Sequence, residues 1–78
     1  MAVNEVPISK KDAIDVARKS IEKAIKALNQ AFNEVGYICS LSDGFEHRYF
    51  ATLLYSIDNI TRMLEGIKLE LENVEKEL

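Results

Sequence analysis

The sequence predicts an all-α fold: a two-helix antiparallel hairpin that dimerises into a four-helix bundle. Two long segments repeat apolar residues at alternating spacings of three and four, which is the heptad pattern of packed helices. One short segment rich in Ser, Asp and Gly separates them, and so short a connection makes the helices antiparallel neighbours. The 78 residues are 47% hydrophobic and 29% charged, with three glycines and one proline. This composition favours an ordered chain over a disordered or fibrous one.

The first helix is expected over residues 10–39, after a flexible N-terminal arm of residues 1–8. Pro7 keeps the residue before it extended, and Ser9 has the side chain of a helix N-cap, with Asp12 three residues later. The arm has no basic segment followed by an apolar run, so we expect no secretory signal. Residues 9–78 then form a single helical-hairpin domain.

The first helix has a broad apolar side. Its heptad stripe is interrupted once, where Arg18 takes the position of an apolar residue. A second row beside the stripe is composed mostly of alanine, which lets a neighbouring helix approach closely. The stripe consists of Ile14, Ile21, Ile25, Leu28, Phe32, Val35 and Cys39, and the second row of Ala17, Ala24, Ala31 and Ile38.

A turn is expected over residues 40–44. Gly44 can take the positive φ that a tight reversal requires, and Asp43 is placed to cap the following helix, with Glu46 three residues later. The first helix has an alternative end at Gly36, because glycine often follows the last helical turn. The later end is favoured since Cys39 keeps the heptad phase.

The second helix, expected over residues 45–77, has the most regular pattern in the chain. Its apolar spacings alternate between three and four without a miss, which predicts a long, nearly straight helix packed along a seam. Gly66 lies outside this stripe. The stripe consists of Phe50, Leu53, Ile57, Ile60, Leu64, Ile67, Leu71, Val74 and Leu78.

A homodimer is expected because two helices alone form no closed core. For a chain of this length the hydrophobic gain of folding about equals the cost of ordering the chain. The single cysteine, Cys39, rules out an intrachain disulfide. Pairing two hairpins adds buried apolar surface. The predicted dimer core comprises Ile21, Ile25, Leu28, Phe32, Phe50, Leu53, Ile57, Ile60, Leu64 and Ile67.

Six of the ten basic residues lie between positions 10 and 26, together with three acids. Such a stretch supports an alternative function, a nucleic-acid-binding regulator. Against it stand the net charge of −3, the pairing of Asp15 and Glu22 with lysines four residues later, and an acidic segment at 65–78 alongside. We therefore expect the basic stretch to be neutralised within the hairpin. The nucleic-acid-binding candidates are Lys19, Lys23 and Lys26.

The sequence contains no catalytic or metal-binding signature. His47 is the one histidine and Cys39 the one cysteine, and neither stands at a spacing typical of a nucleophile, a general base or a zinc site. We expect a non-enzymatic protein without metal or cofactor, in which Cys39 is a reduced core thiol and His47 is solvated. A reduced thiol and the absence of a long apolar run predict a cytoplasmic protein outside the membrane.

The candidates for partner binding lie on the outer side of the second helix. Counted in heptads from Phe50, Tyr55 points away from the apolar stripe, together with residues seven positions before and after it. Tyrosine and arginine are enriched at binding hot spots. The predicted function is a small protein–protein interaction module, an adaptor, chaperone or inhibitor, that acts as a homodimer and binds another protein. The candidate stripe is Arg48, Tyr55, Arg62 and Leu69.

Overall fold

A computed structural model describes residues 9–78 as two helices joined by a short turn. Helix α1 spans Lys10–Ser40 and helix α2 spans Gly44–Glu77, with no strand among the described residues. The predicted all-α hairpin is confirmed. It is a single layer, 13 Å along its thinnest axis, so each helix has one neighbour. The predicted arm, residues 1–8, lies outside the described residues.

Helix α1 begins at the predicted cap. Ser9 is extended, and its Oγ accepts a hydrogen bond from the Asp12 N–H at 3.1 Å, which satisfies one of the amides left free at a helix start. At its other end the helix continues through Gly36 to Ser40. The Ser42 hydroxyl donates to the Ile38 carbonyl at 2.8 Å. A side chain thus closes the last turn of α1.

The turn between the helices depends on one left-handed residue. Gly44 has a φ of +58°, which carries no steric penalty in glycine, and Asp43 before it is extended. The Asp43 carbonyl accepts the His47 N–H at 3.3 Å, whereas its carboxylate makes no capping hydrogen bond. The expected side-chain cap at Asp43 is therefore wrong, and the backbone carbonyl serves the first turn of α2 instead.

Cys39 and His47 join the two helices next to the turn. The His47 Nδ1 lies 3.0 Å from the Cys39 carbonyl oxygen. Because a carbonyl can only accept, Nδ1 carries the proton in this bond. The Cys39 Sγ lies 3.5 Å from the His47 carbonyl oxygen. Cys39 is 6% exposed, in keeping with a core thiol. His47 is exposed to solvent, as expected, and its ring also links α2 to α1.

Helix α2 meets α1 through a row that includes polar side chains. Thr61 is 8% exposed. The Lys68 Nζ lies 3.4 Å from Glu22 Oε2, and Glu75 Oε1 lies 3.5 Å from Arg18 Nε. These positions are one residue away from the apolar stripe of α2. The row that faces α1 is Leu54, Ile57, Thr61, Leu64, Lys68, Leu71 and Glu75.

Part of the apolar stripe of α2 is consequently left open. Ile60 and Ile67 are 47% and 46% exposed, and Val74 is exposed as well, whereas Ile57 and Leu64 are half-buried. The stripe is thus rotated away from α1, and only every second member faces it. Among the described residues, a single hydrophobic side chain is buried, that of Cys39. The hairpin alone leaves most of its apolar residues in contact with water.

Arg18 fills the gap in the apolar stripe of α1. Its guanidinium pairs with Asp15 and, at 3.2 Å, with Glu22 of the same helix, and its Nε lies 3.5 Å from Glu75 of α2. Hydrogen bonds from Lys19 and Arg18 lower the pKa of Asp15, and the bond to Asp15 raises the pKa of Arg18. The Arg18 guanidinium is therefore surrounded by three carboxylates, two from α1 and one from α2.

Apolar and truncating substitutions at Arg18 test what the charge contributes to stability. We expect Arg18→Leu to melt at the parent temperature or higher, because a packed apolar residue often matches a partly buried ion pair. Arg18→Ala is expected to melt lower, because it leaves both a gap and uncompensated carboxylates. Thermal unfolding followed by circular dichroism compares the two. A leucine variant that melts below the alanine variant would contradict this expectation.

Candidate interaction surfaces

The contact between the helices divides the remaining surface into two opposite faces. In heptad letters the helices meet through positions a and d, with Ile25 of α1 and Thr61 of α2 both at a. Residues at g flank this contact on one side, and residues at e flank it on the other. Because the helices run antiparallel, the two g rows adjoin on one face of the hairpin. The two e rows adjoin on the opposite face.

The face formed by the g rows, termed the apolar face, holds no charged residue in either row between positions 17 and 38 of α1 and between positions 53 and 74 of α2. Alanines fill most of the α1 row, and large aliphatic residues fill the α2 row. The face extends over about 32 Å at 1.5 Å per residue. Exposed apolar patches of such extent mark interaction sites in many proteins. Its residues are Ala17, Ala24, Ala31 and Ile38 of α1, and Leu53, Ile60, Ile67 and Val74 of α2.

The predicted dimer-core residues fall into two groups. Leu53, Ile60 and Ile67 lie on the apolar face and remain at least partly exposed. The others lie along the contact between α1 and α2, where each helix covers the other in part, and Phe32 at its edge remains 38% exposed. The second group consists of Ile21, Ile25, Leu28, Phe32, Phe50, Ile57 and Leu64.

The face formed by the e rows, termed the groove face, has the predicted partner-binding stripe along its edge. Tyr55 is 74% exposed, and Leu69 is exposed as well. The Arg62 Nε pairs with Asp58 of the preceding turn at 3.1 Å. The four predicted residues all occupy heptad position b of α2 and therefore form a line on this side. They are Arg48, Tyr55, Arg62 and Leu69.

Tyr55 also forms one wall of an open apolar pocket on the groove face. The pocket has a volume of about 410 Å³ and lies between the two helices. Sequence reasoning missed it because Phe32 was assigned to the core and Leu54 lies just outside the predicted stripe. The sequence signal for this pocket is Leu54, a large apolar residue directly beside the predicted stripe. The lining residues are Phe32, Ala51, Leu54, Tyr55 and Asp58.

The three lysines proposed for nucleic-acid binding line a second depression on the groove face, termed the lysine groove. Its volume is about 650 Å³. Sequence reasoning missed the contribution of Lys68, which α2 supplies from the other side of the contact. The lining residues are Lys19, Glu22, Lys23, Ile25, Lys26 and Lys68.

The charges of this groove are only partly neutralised within the hairpin. Lys19 pairs with Asp15 at 3.1 Å, as the spacing predicts. The expected pair between Glu22 and Lys26 does not form, because Glu22 pairs with Arg18 and Lys68 instead. Lys23 and Lys26 make no ion pair with any described residue. The expectation that the hairpin neutralises its basic stretch therefore fails at these two lysines.

Among residues 9–78, the side chains of His, Cys, Asp and Glu form no group of three or more suited to a metal ion. No helix in this part of the chain is both long and apolar enough to cross a membrane. No protein-family model, curated protein or solved structure matches the chain. The function therefore has to be inferred from the two faces.

Truncation of Tyr55 tests whether the groove face contributes to folding. We expect Tyr55→Ala to change the free energy of unfolding by no more than about 0.5 kcal/mol, because the ring is mostly in solvent. Leu54→Ala is the matched control, since the neighbouring leucine faces α1, and it is expected to cost about 2 kcal/mol. Chemical denaturation measures both. Equal losses for the two variants would show that Tyr55 belongs to the core.

Proposed function

We propose that the protein is a homodimeric helical interaction module. In this proposal two hairpins pack through their apolar faces into a four-helix bundle, and the groove face with its Arg48–Tyr55–Arg62–Leu69 stripe stays available to another protein. The observation that supports it most is the rotation of the α2 stripe, which leaves a long, uncharged face without a partner helix. Removing that face from water is the largest favourable contribution to the free energy of folding that is open to so small a chain.

A second copy of the chain fits the apolar face in shape. The α1 row is small and the α2 row is large, so the two rows complement each other. A two-fold axis parallel to the helices places α1 of one copy over α2 of the other, with every neighbouring pair antiparallel. The alanines of one copy then receive the isoleucines of the other. This self-complementarity favours a second copy over an unrelated helix.

The alternative function, a nucleic-acid-binding regulator, has less support. Lys23 and Lys26 are free of ion pairs with described residues, which favours an anionic ligand. However, Glu22 lies in the same groove, and the chain carries a net charge of −3. Both oppose a polyanion whose binding depends on neutralising many phosphates.

Sedimentation equilibrium tests the dimer. We expect the parent to sediment at twice the chain mass at micromolar concentration. Ile60→Asp and Ile67→Asp are expected to shift it to monomer, because each places an unpaired charge on a covered apolar surface.

Leu69→Asp is the matched control for this experiment, since it makes the same change on an exposed leucine of α2 on the opposite side. It should leave the protein dimeric. A folded parent of single-chain mass would contradict the proposal. A dimer that dissociates equally in all three variants would contradict the assignment of its interface.

A further inference from the structure

We propose that two copies of the hairpin also contact each other through the exposed rows that flank the apolar face, and that these rows hold both turns at the same end of the dimer. The inference rests on the proposed function, because it needs a dimer formed through the apolar face. The flanking rows, termed the edge rows, occupy heptad position c beside each g row. Every member is exposed in the hairpin, and the members are Ala13, Ser20, Ala27, Glu34 and Leu41 of α1, and Tyr49, Ser56, Met63, Glu70 and Glu77 of α2.

The edge rows hold three large apolar side chains that the hairpin leaves in solvent. Leu41 is 70% exposed, Met63 is 68% exposed and Tyr49 is 55% exposed. The Tyr49 ring lies edge-on to Phe50, with the ring centroids 5.4 Å apart, an arrangement that aromatic pairs favour. Position c lies on the far side of g from the contact between α1 and α2. A helix that covers a g row therefore contacts the adjoining c row as well.

Contacts within the hairpin show which residues of the two helices lie at the same height along its axis. Glu22 of α1 pairs with Lys68 of α2. Ala27 lies five residues after Glu22, and Met63 lies five residues before Lys68, so the antiparallel course brings these two to the same height. A two-fold axis parallel to the helices leaves heights unchanged. It therefore places Ala27 of one copy opposite Met63 of the other.

The two edge rows complement each other along their whole length in this arrangement. The large Met63 meets the small Ala27, and Leu41 and Tyr49 lie within about one turn of each other's height, 5.4 Å. Each acid of one row lies opposite a residue without charge in the other. Both rows belong to the same chain, so a second copy supplies this pattern in full. The pairs with an acid are Glu34 with Ser56, Glu70 with Ser20, and Glu77 with Ala13.

The opposite arrangement, with the turns at different ends, fits less well. A two-fold axis perpendicular to the helices sets each helix over its own copy in reverse. Met63 and Ala27 each lie near the middle of their helix's part of the apolar face, so each would meet its own counterpart. Large side chains would crowd on one side of the dimer and alanines would leave gaps on the other, which close packing disfavours. Tyr49 would also lie beside the acidic end of α2 at Glu77.

A distance between the two turns tests this inference directly. A nitroxide label is attached to Asp43→Cys in a Cys39→Ser background, because the Asp43 carboxylate makes no capping hydrogen bond. Double electron–electron resonance then measures the distance between the two labels of a dimer. We expect a distance below about 25 Å, because packed helices lie about 10 Å apart. Turns at opposite ends of a hairpin 55 Å long would give more than about 40 Å.

The contribution of the edge rows is measured separately by the dimer dissociation constant. Met63→Asp is expected to raise it about tenfold, because the charge enters a covered apolar contact. Leu69→Asp is the matched control, since Leu69 is an exposed residue of α2 on the opposite side, and it should leave the constant unchanged. Circular dichroism verifies that both variants stay helical.

The possible failures are distinguishable. A dimer with the long label distance would overturn the same-end arrangement and leave the dimer through the apolar face standing. A short distance with equal dissociation constants for Met63→Asp and Leu69→Asp would overturn the contact through the edge rows. A folded protein of single-chain mass would contradict the proposed function, and this inference with it.

Discussion

The structure depends on a conflict between the apolar stripe of α2 and the residues with which α2 meets α1. Thr61, Lys68 and Glu75 occupy the contact, and two of them make ion pairs with α1. The aliphatic residues one position earlier lie beside the contact rather than in it. A two-helix hairpin has only one contact and cannot cover both rows. The open row is therefore built into the heptad phase rather than being an accident of side-chain placement.

This phase explains why the two faces differ so strongly. The apolar face collects small residues from α1 and large ones from α2, and it excludes charge. The groove face carries several carboxylates in its two e rows, lysines and arginines beside them, one exposed tyrosine and a pocket between the helices. A single layer of two helices can present both at once. Self-association and partner recognition then need not compete for the same residues.

Local signals in the sequence were sufficient for the helices and their limits. Ser9 caps α1, Gly44 takes the positive φ, and Cys39 is buried, each for a reason that depends on a few neighbouring residues. The rotation of α2 about its own axis is harder to predict. Ile57 and Leu64 belong both to the apolar stripe and to the row that faces α1. Which of Ile60 and Thr61 accompanies them is seen only in the contact with α1, and the pattern of a single helix does not contain that contact.

The candidate sites were only partly predictable for the same reason. Tyr55 could be placed on an exposed side from heptad counting alone. Its pocket requires Phe32 of the other helix, and the lysine groove requires Lys68 of the other helix. Glu22 has lysine and arginine neighbours within its own helix and across the contact, so its choice of Arg18 and Lys68 over Lys26 is decided by tertiary structure.

The most direct test of the central claim is an isotope-filtered NOE measurement on a mixture of labelled and unlabelled chains, which detects contacts between copies only. The proposed bundle predicts intermolecular contacts between the methyl groups of Ala24 or Ala31 and those of Ile60 or Ile67. Intermolecular contacts from Ala51 or Leu54 instead, or a folded protein with none, would contradict the claim that a second copy covers the apolar face.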